Sequence, residues 1–139
     1  MADKIEKCKL KESDLIIVRS GVNTGDCSRI PKEYEGSYGG FDIIVEIDEP
    51  YSTFYNFMLN TDAGKAVLEP LTRRAGQPHL NSKQITQLKV FEVPVDLQNQ
   101  FAQRVQAIEA QKAQAQESLA KAENLFNSLL QKAFKGELT

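Results

Sequence analysis

The chain contains no tryptophan, only one histidine and only two cysteines among its 139 residues. Cys8 and Cys27 are isolated and lack the spacing of metal ligands, so the sequence gives no basis for a zinc site. We expect both to be reduced thiols, as in a cytoplasmic protein. No apolar run approaches the roughly 20 residues that span a bilayer, and the charged N-terminus lacks the apolar centre of a signal peptide. The sequence therefore predicts a cytoplasmic protein without a membrane partner.

Motifs of catalysis are also missing. The chain has no Asn-Pro-Pro-aromatic signature of adenine methyltransferases, no glycine-rich cofactor loop and no Walker-type phosphate loop. Asp62 and Glu69 form the one acidic pair that a nuclease could use, but no lysine-containing motif follows them on a predicted strand. His79 has no cysteine or second histidine with which to bind a metal. We therefore expect no enzymatic activity, no metal and no cofactor.

The net charge of −2 does not indicate nucleic-acid binding. Residues 1–97 contain 12 Lys and Arg against 15 Asp and Glu, whereas the rest of the chain contains 5 against 4. Neutralisation of phosphates supplies most of the affinity of DNA-binding modules, which are usually more basic. Any DNA contact must come from a local patch or from a larger assembly.

The composition changes sharply at Pro94-Val95-Asp96. Residues 1–96 contain every proline and tyrosine and all but one glycine, whereas residues 97–135 contain none of these three residue types. We predict an α+β fold, with a mixed domain over residues 1–96 and one long, protruding helix within residues 97–139. Apolar runs and turn residues predict the elements of the first domain. The expected strands are Leu15–Val18, Cys27–Ile30, Phe41–Ile47 and Val90–Val93. The expected helices are Phe54–Leu59, with an extension to Val67 as the alternative, and Ser82–Leu88.

The second region predicts a single helix over residues 97–135, with Asp96 as N-cap and Gly136 as its end. Apolar residues recur at alternating spacings of four and three, which is the seam of a coiled coil. We expect this seam to pair with a second copy or another helix, and Lys112 within it restricts register or partner. The seam residues are Phe101, Val105, Ile108, Lys112, Ala115, Leu119, Ala122, Phe126, Leu129 and Ala133.

Three motifs, in the same order along the chain, resemble motifs of one known protein family. The segment 14–21 (DLIIVRSG) looks like a strand and turn of the target-recognition domains of type I restriction–modification specificity subunits, with Ser13 where that family usually has glycine. The segment 76–100, with Leu80-Asn81 and Pro94, is similar to a later block of the family. The ending Ala133-Phe134-Lys135-Gly136-Glu137-Leu138 is similar to the ending of such subunits. The resemblance covers nearly the whole chain.

Two departures concern the junction between domain and helix, since Val95 replaces a usual proline and Asn99 a usual glutamate. Only 12 residues precede Ser13, so we expect the chain to be truncated at its N-terminus or to derive from a split gene. The resemblance implies a non-catalytic DNA-specificity subunit that reads one half of a bipartite target in double-stranded DNA. It also implies docking of methyltransferase subunits, and through them the restriction subunit, on the conserved helix.

Two segments are candidates for DNA contact. Arg19-Ser20-Gly21 ends a strand and could contact phosphate or a base edge, or could be an ordinary turn with a solvated arginine. The loop with Arg73, Arg74, Gln77 and His79 offers bidentate donors and acceptors for base edges, or is a plain exposed connection.

Other features favour structural roles or a rival function. Asn81 is expected to cap a helix. The aromatic cluster Tyr51, Phe54, Tyr55 and Phe57 is expected to be half core and half surface. The acidic character of the first region favours a different class of protein, a coiled-coil adaptor whose small α/β domain does not bind DNA.

Overall fold

A computed structural model of the chain describes residues 8–72 and 77–137. It shows an α+β fold with a small antiparallel sheet and a long C-terminal helix, as the sequence predicts. The elements in chain order are β1 (Leu15–Ile17), β2 (Cys27–Arg29), a 3-10 turn (Lys32–Tyr34), β3 (Ile43–Val45), α1 (Tyr51–Leu59), α2 (Asp62–Thr72), α3 (Ser82–Thr86) and α4 (Val95–Phe134).

The sheet has the order β2-β1-β3, with both pairings antiparallel. Ile17 pairs with Cys27 on one side and with Ile43 on the other. Leu15 and Ile17 of the central strand β1 are both buried, whereas Ile16, which points to the opposite face of the sheet, is only partly buried. The helices α1 and α2 and the segment before α3 complete the core, in which Leu59, Leu68 and Leu80 are buried with β1.

Ser13 has a left-handed backbone, with φ of +73°. An L-residue is strained in this conformation, which glycine adopts without cost. Two hydrogen bonds stabilise this conformation of Ser13. The Ser13 carbonyl accepts one of them from the buried Ser52 hydroxyl. The Ser13 hydroxyl in turn accepts a bond of 3.1 Å from Arg29. Ser13 is the position at which the motif that the segment 14–21 resembles usually has glycine.

The helix expected over Phe54–Leu59 is confirmed within α1, but it does not extend to Val67, because it ends before Asn60 and α2 begins at Asp62. The Asn60 side chain donates to the Cys27 carbonyl at 2.8 Å and accepts from the Cys27 amide at 3.4 Å. The side chain is thus held to the edge of β2, and the chain turns there. Thr61 then caps α2, since its hydroxyl accepts from the Gly64 amide at 3.2 Å.

The expected strand Val90–Val93 is wrong. The segment has no regular secondary structure, and Val90 and Phe91 are exposed. Side chains bind its carbonyl groups instead of a neighbouring strand: the Tyr55 hydroxyl donates to Phe91 at 3.4 Å and the Gln98 amide to Val93 at 2.8 Å. The other three strands form where they were expected, but each is shorter than its prediction, and Phe41 lies outside β3.

The single long helix is confirmed over Val95–Phe134. Asp96 lies in the first turn of the helix and not at the N-cap, because the helix begins at Val95, before Asp96. Gly136 ends it with φ of +70°. The Gly136 amide donates to Ala133 at 3.1 Å and the Glu137 amide to Lys132 at 2.9 Å, which is a Schellman motif.

Contacts divide the chain into two compact units, residues 1–102 and residues 103–139. The first unit therefore includes the first two turns of α4. Within the described ranges, no helix combines the length and the apolar character that crossing a membrane requires.

Burial changes the chemistry of Cys27, which belongs to the core of the first unit. Removal from water penalises the thiolate and raises the pKa of this thiol from 9.0 to about 12. Cys27 is therefore a protonated, apolar core residue at neutral pH.

Candidate nucleic-acid interface

The described parts of the two segments that are predicted to contact DNA lie at one end of the sheet. The antiparallel pairings bring the C-terminal end of β1 beside the N-terminal ends of β2 and β3. Three connections meet here, and we call them together the loop end of the sheet. They are the β1–β2 loop (residues 18–26), the turn before β3 (residues 39–42) and the segment before α3 (residues 77–80).

Backbone pairing joins two segments that lie about 60 positions apart in the sequence. Ser20 and His79 form an antiparallel bridge, and the Leu80 amide donates to the Arg19 carbonyl at 2.8 Å. Leu80 is completely buried and fixes this segment to the core. The described part of the second candidate segment, residues 77–80, is thus adjacent to Arg19-Ser20-Gly21.

The β1–β2 loop is held by its own hydrogen bonds. The amides of Gly25 and Val18 bond across its base, to Val18 and Asp26 respectively, at 2.9 Å each. Thr24 bonds to the Gly21 carbonyl through its hydroxyl at 2.7 Å. Gly21 and Gly25 have φ of +100° and +95°, a conformation that suits glycine. The loop therefore presents a defined tip, at which Val22 is fully exposed.

Arg19 and His79 have side-chain nitrogens that lack a partner. Arg19 Nε and His79 Nδ1 are both buried without a hydrogen bond among the described residues. A buried polar atom without a partner costs free energy and is uncommon. The Arg19 amide itself is satisfied, because it donates to the Asp42 carboxylate at 3.2 Å. Both atoms are enclosed by the protein, so they are unpaired but not accessible to a ligand.

The described charges at the loop end are balanced. Lys65 on α2 lies 3.5 Å from the carboxylate of Asp26, and both side chains are about half exposed. Asp42 adds a second carboxylate beside Arg19. A cleft of about 310 Å³ opens next to the loop. It is lined by Val22, Thr24, Gly25, Asp26, Lys65, Leu68, Glu69 and Thr72.

The remaining candidates have different outcomes. Gln77 is exposed and lies two residues before His79, which forms the bridge with Ser20. A side chain that reads base edges must be exposed in this way. Arg73 and Arg74 lie outside the described residues. Asn81 caps α3 as expected: its side chain accepts from the Gln84 amide at 3.0 Å, and the Gln84 side chain accepts from the Asn81 amide.

Val22 and Phe41 also lie at the loop end, although neither is among the candidate site residues. Phe41 is expected to begin the strand Phe41–Ile47 but lies outside β3. Phe41 is in fact 90% exposed. The Gly39-Gly40 pair immediately before it was the available signal, because two consecutive glycines favour a turn rather than a strand.

The candidate seam of α4 behaves differently in the two units. Phe101 packs within the first unit, edge-on to Phe54 and Phe57 at ring-centroid distances of 5.8 and 5.5 Å. In the second unit Lys112 lies 3.7 Å from Glu109 of the same helix. The large apolar side chains of that unit are largely exposed, namely Ile108, Leu119, Leu125, Phe126, Leu129, Leu130 and Phe134.

No group of three or more His, Cys, Asp or Glu side chains within residues 8–72 and 77–137 could hold a metal ion. No protein-family model matches the sequence, and none of the curated proteins is significantly similar to it. The motifs and the geometry of the loop end are therefore the basis for any assignment of function.

Proposed function

We propose that this chain is the DNA-specificity subunit, or half-subunit, of a cytoplasmic type I restriction–modification system. In this role the loop end of the sheet reads one half of a bipartite target in double-stranded DNA. The chain itself performs no catalysis. The helix α4 pairs with a second copy or with the other half of the subunit and docks the methyltransferase subunits.

The observation that carries the proposal is the pairing of Ser20 with His79 at the loop end. Two segments that resemble blocks of one family, far apart in sequence, meet at one surface with Gln77 exposed. Hydrogen-bonding side chains on loops, carried by a rigid sheet, are the elements that read base edges in a groove.

A second observation agrees with the family resemblance. The position of the usual glycine, Ser13, has a left-handed backbone. A pattern that requires glycine at that point describes this local conformation well. The exposed apolar side chains of the second unit fit the pairing helix of such subunits, because a seam of this kind is normally covered by another helix.

The charge of the chain decides how DNA binding must be tested. With a net charge of −2 the isolated chain lacks the phosphate contacts that give tight binding. We expect its affinity for DNA in physiological salt to be weaker than micromolar. Binding should become tight only when the chain is assembled with methyltransferase subunits. Tight binding by the chain alone would contradict this account of its charge.

The decisive experiment measures DNA affinity of the assembled complex as a function of salt. Gln77→Ala and the double variant Arg73→Ala, Arg74→Ala should each weaken target binding. Loss of one arginine that reads a guanine edge costs about 1–3 kcal/mol. Lys83→Ala is the matched control, since it removes an exposed cation from α3 outside the loop end. Unchanged affinity in both variants would remove these residues from the site.

The acidic first region favours one other function, that of a coiled-coil adaptor. In that case α4 would bind a protein partner and the small domain would only complete the fold. The same complex separates the two functions. An adaptor would assemble through α4 without conferring salt-dependent DNA binding, whereas a specificity subunit confers both.

A further inference from the structure

Phe41 occupies an unusual position for a large apolar side chain. It is 90% exposed, whereas the next strand residue, Ile43, is buried. The Arg19 amide donates to the carboxylate of Asp42, the residue that follows Phe41. The turn that carries Phe41 therefore lies beside Arg19 at the loop end, and Phe41 is a large, exposed apolar side chain on it.

The turn that carries Phe41 is fixed in place. The Gly39 amide donates to the Cys8 carbonyl at 2.9 Å, and the Asp42 amide donates to the Gly39 carbonyl at 3.3 Å. A side chain at Gly39 would crowd Ile44 and Leu10, with contacts of 3.0 and 3.1 Å. Asp42 is tied to the Arg19 amide. The exposure of Phe41 is thus a property of an anchored turn.

We propose that Phe41 is a stacking residue that inserts between neighbouring base pairs of the bound duplex. This inference rests on the proposed function. Phenylalanine is one of the side chains that DNA-binding proteins use as wedges between base steps. An aromatic ring stacks on any base because every base has a π face. Stacking needs no added positive charge, which suits a loop end whose described charges are balanced.

The test compares two 30-base-pair duplexes of the same mixed sequence, one of which contains a single central abasic site. An abasic site removes the stacking that a wedge must disrupt, so it favours insertion. The chain assembled with the methyltransferase subunits should prefer the abasic duplex by roughly tenfold. Phe41→Ala should abolish this preference and Phe41→Trp should retain it. Because Phe41 is exposed, neither substitution should change the melting temperature of the protein.

Tyr34→Ala is the matched control, since Tyr34 is an exposed aromatic residue beyond the opposite end of β2. It should leave the preference intact. Equal binding of both duplexes by the wild type, or a preference that survives Phe41→Ala, would overturn the inference while leaving DNA recognition in place. Phe41→Asp that reduces self-association in sedimentation but not the abasic preference would identify a protein contact instead. A complex that binds neither duplex even at low salt, where non-specific phosphate contacts are strongest, would contradict the proposed DNA binding, and the inference with it.

Discussion

Substitution of Phe126 by aspartate tests whether the second unit associates through its apolar seam. Phe126 is 61% exposed in the single chain. Full burial of such a side chain is worth roughly 1.5–3 kcal/mol. Covering the exposed part would therefore contribute roughly 1–2 kcal/mol per copy, or about 2–4 kcal/mol in a dimer that buries both. We expect the wild-type chain to self-associate for this reason.

The Phe126→Asp variant should lose this contribution from both copies. At about 1.4 kcal/mol for each factor of ten, the dissociation constant should rise roughly 30- to 700-fold. Sedimentation velocity over a range of concentrations measures the change directly. Asn124→Asp adds the same charge two residues away, on the opposite face of the helix, and should leave association nearly unchanged.

A strict monomer at high micromolar concentration, unaffected by Phe126→Asp, would refute the reasoning. Lys112 adds a constraint on the geometry of pairing, because it lies near the middle of α4. In an antiparallel pair the two copies of Lys112 would approach each other. The ammonium groups of the two lysines would have to extend towards solvent. The ion pair of Lys112 with Glu109, in which both side chains are more than half exposed, is compatible with that orientation.

Three further predictions concern the first unit. Ser13→Gly should relieve the left-handed strain and raise the free energy of unfolding by about 1 kcal/mol in a denaturant titration, whereas Ser13→Ala should lower it. Phe101→Ala removes two aromatic contacts and should cost about 2 kcal/mol in the same measurement, with an unchanged value showing that the contacts with α1 are unimportant. Cys27 should resist iodoacetamide at pH 8.5 until the chain unfolds, as peptide mass spectrometry can show. Because the folded thiol keeps its proton up to about pH 12 and the unfolded thiol loses it near 9.0, stability should also fall as the pH rises above 9.

Local chemistry made part of the fold predictable. The apolar run at Leu15–Ile17, the capping residue Asn81 and the absence of glycine and proline after Pro94 each act within a few residues of the element they determine. The sequence patterns therefore identified the central strand, the start of α3 and the single long helix.

The misses all depend on distant partners. The expected extension of the first helix to Val67 fails at Asn60, because the Asn60 side chain binds the backbone of Cys27, which is 33 positions away. Val90–Val93 has the composition of a strand, but no strand within the described residues pairs with it. A composition typical of strands does not by itself provide a partner strand. The bridge between Ser20 and His79 is also non-local, so the sequence could nominate both segments of the candidate site but could not show that they meet.

The β1–β2 loop separates the shape of this surface from its chemistry. Its path is set by backbone hydrogen bonds, by the Thr24 hydroxyl and by two glycines, while the side chain of Val22 touches open solvent. Most substitutions at Val22 and Asn23 should consequently leave folding intact. A library randomised at these two positions would sample new surface properties on an unchanged backbone. The loop is thus a natural starting point for engineering altered recognition without rebuilding the core.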